Sequence, residues 1–207
     1  LMDSILFLLP SPEDRATFEV RNPEGEMQEE SISDTGSLIT YVWKTTADPF
    51  VGKLTYFRVY SGVLDGDSKV FNLNKDEEER MGTLYLLRGK EQIAVDVLHA
   101  GDLGVVAKLG ETETGDTLGE KSGKLTMDMP EYPNALYSVA VRPKTQADSP
   151  KMGMALTRLC EEDPTLSWHN EPATRQTILQ GMGDQHIDGA IRKAESKCQV
   201  GLQTEIP

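Results

Sequence analysis

The sequence has only two cysteines, Cys160 and Cys198, and only three histidines, His99, His169 and His186. The cysteines lie far apart and match no metal-ligand spacing, so no metal site is expected, and reduced thiols in a cytoplasmic protein are. Long apolar runs are also lacking. The longest, Ile5 to Leu9, is far too short to cross a bilayer, and no basic segment precedes it as in an export signal, so neither a membrane partner nor secretion is expected. Positive charge is scarce: 34 acidic against 21 basic residues give a net charge of -13. That balance argues against a generic nucleic-acid binder, although an acidic body can still carry a locally basic face. With 38% hydrophobic and 27% charged residues in 207, the chain has the composition of a folded protein with one large or two small domains. It opens on Leu1, so unless Met2 is the true start, a piece of a longer protein is expected.

Three patterns follow one another. Residues 1–9 place Met2, Ile5, Leu6 and Leu9 on one helical face, which Pro10 and Pro12 end. That face has no apolar partner nearby in the sequence. Ser11 to Ser37 is polar and acidic and reads as a linker or loosely held arm. From Leu38, short segments rich in β-branched and aromatic residues (LITYVWK, LTYFRVYSG, KVFNL, TLYLL, IAVDVL, LGVVAKL) recur about every 8 to 15 residues between Gly and Asp turns, which predicts a small β-barrel or sandwich over residues 35–126. After Pro130 and Pro133 come a strand over Ala135 to Arg142, a helix between Asp148 and Asp163, strands over Leu166 to Glu171 and Arg175 to Gln180, a helix from Gly183 to Cys198, and a last strand from Val200. The order βαββαβ predicts a ferredoxin-like split βαβ domain over residues 130–207.

Several strings imitate active-site motifs. In GETETGDTL, Gly110 to Leu118, the glycines have P-loop spacing, but Asp116 stands where a phosphate-neutralising lysine belongs, so a barrel turn is the better reading. NKDE, Asn74 to Glu77, approximates the guanine-specificity motif N-K-x-D with the acid misplaced, and NKDEEER reads as a solvated loop. GMGDQHID, Gly181 to Asp188, begins like a dinucleotide fingerprint, but His186 takes the third glycine position. Either the helix start offers free N–H groups to an anion or an incoming loop, or it is a tight turn with Asp184 as the cap. His186 could act as a general base, but no Ser, Cys or paired carboxylate has a spacing that singles it out, and no catalytic residue is assigned. Trp168 is expected to pack in the core. Arg58, among Tyr56, Phe57 and Tyr60, fits an aromatic and basic RNA-binding surface as well as it fits an ordinary barrel strand.

Longer strings are more specific. VWKTTADPFVGKLTYFRVYSGVLDGD (residues 42–67), HAGDLGVVAKLGETETGDTL (99–118), VAVRPKTQADSPKMGMALTRLCEEDPTL (139–166) and TILQGMGDQHID (177–188) resemble translation elongation factor G, the translocase GTPase of the ribosome. The resemblance runs from Leu38 to Pro207 and falls on the second and third domains of that family, a translation-factor β-barrel and a ferredoxin-like domain. Residues 1–34 resemble the end of the preceding GTPase domain and its connector.

The resemblance implies a fragment that neither binds nor cleaves GTP, with GTP and Mg belonging to the GTPase domain of the longer protein. It implies that the barrel packs beside the GTPase domain and touches the small subunit of the ribosome, RNA included, and that the third domain faces the switch regions of the GTPase domain and a small-subunit protein, in a monomer. Asp48, Pro49, Phe50 and Gly52 match the family's D-P-F-x-G. Gly181, Met182, Gly183, Asp184 and His186 match its G-M-G-E-L-H-L turn, so both segments are expected to face the GTPase domain. Arg58, Lys144 and Lys151 are the candidates for ribosome contact. Asp184 and Gln185 replace the usual Glu and Leu, and Asp76 to Arg80 is acidic where the family is basic. These departures point to a divergent paralogue, or to an adaptor that no longer acts in translocation.

Overall fold

The computed structural model describes residues 1–11, 14–48, 51–89 and 91–206. Two compact units emerge, one built from Leu1–Lys44 with Leu54–Met129, the other from Thr45–Lys53 with Pro130–Pro207.

The first unit starts with helix α1 (Met2–Leu8), none of whose residues is buried. The stretch expected to be a loose arm is instead an antiparallel hairpin of β1 (Thr17–Arg21) and β2 (Met27–Ser31). The turn is made by Asn-Pro-Glu-Gly. Gly25, at φ +87, donates its N–H to Asn22 O at 2.9 Å, and the Asn22 side chain accepts the Glu26 N–H at 2.8 Å. Alternation then turns Phe18 and Val20 inward, where they pack with Ile39, Tyr60 and Leu125. Two apolar residues in an acidic stretch are a faint signal, and their partners are remote in sequence.

The rest of this unit is barrel-like. Its strands are β3 (Ile39–Asp48), β4 (Gly52–Ser61), β5 (Leu64–Asp65), β6 (Lys69–Asn72), β7 (Glu77–Arg80), β8 (Leu84–Arg88), β9 (Glu91–Val95), β10 (Val97–Leu98), β11 (Leu103–Ala107) and β12 (Thr117–Gly119). Eight form one sheet in the order β7-β6-β12-β3-β4-β11-β8-β9, and β10 pairs with β5. In β4, Thr55, Phe57, Val59 and Ser61 face inward while Tyr56, Arg58 and Tyr60 are half-buried on the other face, the period-2 pattern of a strand. Phe57, Leu84, Leu98 and Leu118 are almost wholly buried, each worth about 1.5–3 kcal/mol of apolar transfer. One expectation fails here: Glu77–Arg80 is not a loop but β7, paired with β6 from Asn72↔Glu77 to Lys69↔Arg80. Backbone pairing holds it, so its side chains gave no apolar signal.

In the second unit, β13 (Tyr137–Pro143), α2 (Ser149–Glu162), β14 (Ser167–Glu171), β15 (Gln176–Gly181), α3 (Asp184–Cys198) and β16 (Leu202–Glu205) follow the βαββαβ order. The sheet order β14-β15-β13-β16, antiparallel throughout, is the ferredoxin-like arrangement. Pro150 lies in the first turn of α2, where no N–H is missed, and Pro164 ends the helix by holding Asp163 extended at φ -135 and ψ 100. Ala155, Leu156 and Leu159 of α2 and Ile187, Ala190 and Ala194 of α3 pack with Val139, Val141 and Leu179 of the sheet. Trp168 joins this core, as expected.

Candidate functional site

Helix α2 carries no basic residue in its last turn and ends on Glu161, Glu162 and Asp163. A helix C-terminus favours cations, so acids there need another reason. Glu162 and Asp163 use their carboxylates to hold backbone segments, while Glu161 contributes its backbone carbonyl. Glu161 O accepts the Thr45 hydroxyl at 2.6 Å, which satisfies one of the carbonyls a helix end leaves open. Glu162, its side chain 8% exposed, accepts the Ala47 N–H at 2.6 Å and pairs with Lys197 of α3 at 2.9 Å. Thr45 and Ala47 are thereby tied to the end of α2 within the second unit. A polar cavity of about 370 Å³ opens beside them, with Asp48, Lys53, Arg158 and Glu162 in its wall.

Asp163 holds the second segment. Its Oδ1 accepts the Thr165 hydroxyl at 2.6 Å and the Thr165 N–H at 3.0 Å, and its Oδ2 lies 2.9 Å from His186 Nε2. Burial pushes the Asp163 carboxyl up, but the bonds from Thr165 and His186 outweigh it and hold the carboxyl below its ordinary value. His186 Nδ1 in turn accepts the Met182 N–H at 3.1 Å. An acceptor Nδ1 leaves the imidazole proton on Nε2, aimed at Asp163.

The cap of α3 therefore differs from expectation. The N-cap residue is Gly183, without a side-chain cap bond, and Asp184 is already the first helical residue, its Oδ1 accepting the Gln185 N–H. His186 reaches back from the third helical position and takes the part expected of Asp184, a variant of the capping box. Gly181 is buried at the end of β15, where a Cβ would come within 3.0 Å of His186 Nδ1. Met182 is 38% exposed, and Gln185 is exposed too. The turn thus presents Met182, Asp184 and Gln185 outward from a braced backbone.

The other expected site residues are distributed as follows. Asp48 ends β3 and its Oδ1 accepts the Val51 N–H at 2.8 Å, while Gly52 sits exposed at φ +90. Pro49 and Phe50 lie outside the described residues. Lys144 is exposed and pairs with Glu195 at 3.2 Å, and Lys151 is exposed in the first turn of α2. Arg58 does not stand free on the barrel surface. It is half-buried, its guanidinium 5.1 Å from the centroid of the Tyr60 ring.

The two nucleotide look-alikes bind each other. In GETETGDTL the Gly110, Glu111 and Thr112 amides, at 3.3, 2.8 and 3.0 Å, and the Thr112 hydroxyl at 3.0 Å converge on Glu79 of β7, a carboxylate of the same unit. Asp116 accepts from Asn72 and from the Glu113 N–H, both at 2.8 Å. From NKDE, Asn74 accepts the Thr117 N–H at 2.7 Å, and Lys75 reaches Glu111 O at 2.5 Å and Glu113 at 2.7 Å. Burial lowers Lys75, but Glu113, Asp116 and Glu111 raise it further, leaving the ammonium above its ordinary value. The amides that would cradle a phosphate in a P-loop are occupied by Glu79.

Sequence reasoning singled out the 181–186 turn but missed Glu161, Glu162, Asp163 and Lys197. Three acids before a helix-ending proline were the available signal. The bonds of this site fix backbone and present side chains, which suits recognition.

Comparison with known proteins addresses the two units as wholes. The family model described as Elongation factor G domain 2 matches residues 37–121, and that described as Elongation Factor G, domain III matches residues 132–206. A crystal structure of a protein from Thermus thermophilus is similar over 100% of this chain, with 27% identity and a TM-score of 0.77. This chain spans only 28% of that chain's length. With a barrel-like unit, a split βαβ unit and matches to both in order, the chain belongs to the elongation factor G family of translation factors and carries its domains II and III.

Proposed function

We propose that the second unit is the face on which the GTPase domain of a longer elongation factor G-type protein docks, so that nucleotide state is passed to the ribosome. Residues 48–52 and the turn at 181–186 form that face. The observation that carries the reading is the end of α2, where consecutive acids hold the chain next to both segments: Glu162 fixes Ala47, the residue before Asp48, and Asp163 fixes the turn through His186. The barrel-like unit takes the small-subunit contact, with Arg58, and Lys144 and Lys151 add contacts from the second unit. GTP and Mg belong to the GTPase domain, and this chain acts as a cytoplasmic monomer without hydrolysing nucleotide itself. Glu79 supports this last point, because it fills the one loop of P-loop spacing. Titration of the chain with a fluorescent GTP analogue tests it: no saturable binding is expected, and micromolar binding would overturn the reading.

A second reading is a paralogue that has become an adaptor outside translocation. The exposed Gln185 and the acidic strand β7 favour it. Co-sedimentation of the full-length protein with ribosomes, in the presence of a non-hydrolysable GTP analogue, separates the two. Recovery with ribosomes supports the docking reading, and persistent absence supports the adaptor.

A further inference from the structure

A cavity of about 360 Å³ lies within the first unit, between the β1–β2 hairpin and β4. Its size falls at the lower end of small-molecule sites, and Phe18, Tyr60 and Met127 give it an apolar wall. Of the charged side chains around it, Arg58 is half-buried, while Arg15, Glu19 and Glu29 are exposed at its rim. The Arg58 guanidinium rests against Tyr60, and its Nε is buried with no hydrogen-bond acceptor among the described residues. Arg15 forms no ion pair among the described residues either. On the hairpin, Glu19 and Glu29 are direct Cα partners, and neither meets a cation among the described residues. The remaining acid, Asp128, is committed to Arg21.

Here no ion pair among the described residues joins either arginine to either glutamate, although all four line one cavity. Like charges facing each other across an antiparallel hairpin destabilise it, and a cation between them removes that cost. A guanidinium stacked on an aromatic ring, with a dry Nε, presents the planar fork that matches a carboxylate or phosphate. We propose that this cavity binds a small dipolar ligand, with its oxyanion on Arg58 and Arg15 and its amine on Glu19 and Glu29. The site shares no residue with the docking face in the second unit, a ligand on Arg58 would compete with the small-subunit contact proposed for that residue, and nothing in its chemistry requires nucleotide.

The test is a titration of the chain with a series of ω-amino carboxylates from β-alanine upward, read by amide shifts at Glu19 and Tyr60. An alkyl carboxylate and an alkylamine of matching length serve as single-charge controls. At least one member of the series is expected to bind about tenfold more tightly than both of its controls, the size of one good charged contact. Arg58→Lys, which keeps the charge but loses the fork, and Glu29→Gln, on a hairpin position outside the core, are each expected to abolish that preference. A series in which no member exceeds its controls would overturn the proposal, as would a preference that survives both substitutions.

Discussion

His186 Nε2 lies 2.9 Å from Asp163 Oδ2 while His186 Nδ1 accepts the Met182 N–H at 3.1 Å, so a single imidazole joins the end of one helix to the start of the next. That geometry fixes the tautomer. In nitrogen-detected spectra of the chain, His186 is expected with a protonated Nε2 and a bare Nδ1, and a protonated Nδ1 would contradict the bond to Met182. His186→Ala leaves the Met182 amide without its acceptor and Asp163 without one donor. A loss of about 1–3 kcal/mol in urea unfolding is expected, with faster hydrogen exchange at Met182.

Acid should act on the same pair. The folded Asp163 carboxyl lies below its ordinary value, so its contribution to stability is complete above the unfolded carboxylate pKa of about 3.9 and is lost as pH falls through the folded value. The stability gap between the wild-type chain and Asp163→Asn is therefore expected to be open at neutral pH and to close below pH about 4. A gap that widens on acidification would show the sign to be wrong.

Much of the second unit is legible in the sequence because its signals are local. Leu156 and Leu159 keep helical spacing, Pro150 opens α2, Pro164 closes it, and Val139 and Val141 alternate. The β1–β2 hairpin is not, since Phe18 and Val20 find their partners at Ile39 and Tyr60. Strand β7 is invisible for a different reason: Glu77 to Arg80 are held by backbone bonds to β6, which side-chain pattern does not encode. The turn at Gly181 to His186 could be picked out, but the bracing of Glu162 by Lys197 and Ala47 could not, because both partners are remote from it in the chain.

Glu79 gathers four donors from the Gly110–Thr112 loop, and its removal should be felt there first. Glu79→Ala is expected to cost about 1–3 kcal/mol, with exchange rising at the amides of residues 110–112. Unchanged exchange at those amides would mean that the loop is held by other contacts.

Cys160 is packed against the core of the second unit, and burial, with the nearby charges of Asp163 and Glu161, pushes its thiol up to about 11. Little thiolate exists at pH about 8, so alkylation of Cys160 in the native chain is expected to be slow and to accelerate sharply in denaturant. Equal rates in the two states, followed by mass spectrometry, would contradict that burial.

The account rests on the acids at the end of α2 serving the docking of a GTPase domain, and ribosome-stimulated GTP hydrolysis by the full-length protein addresses this most directly. With Asp163→Asn, His186 loses the carboxylate that positions it against the Met182 turn, and the stimulated rate is predicted to fall about tenfold, equivalent to about 1.4 kcal/mol. A stimulated rate equal to that of the wild type, with the substituted protein fully folded, would contradict the account.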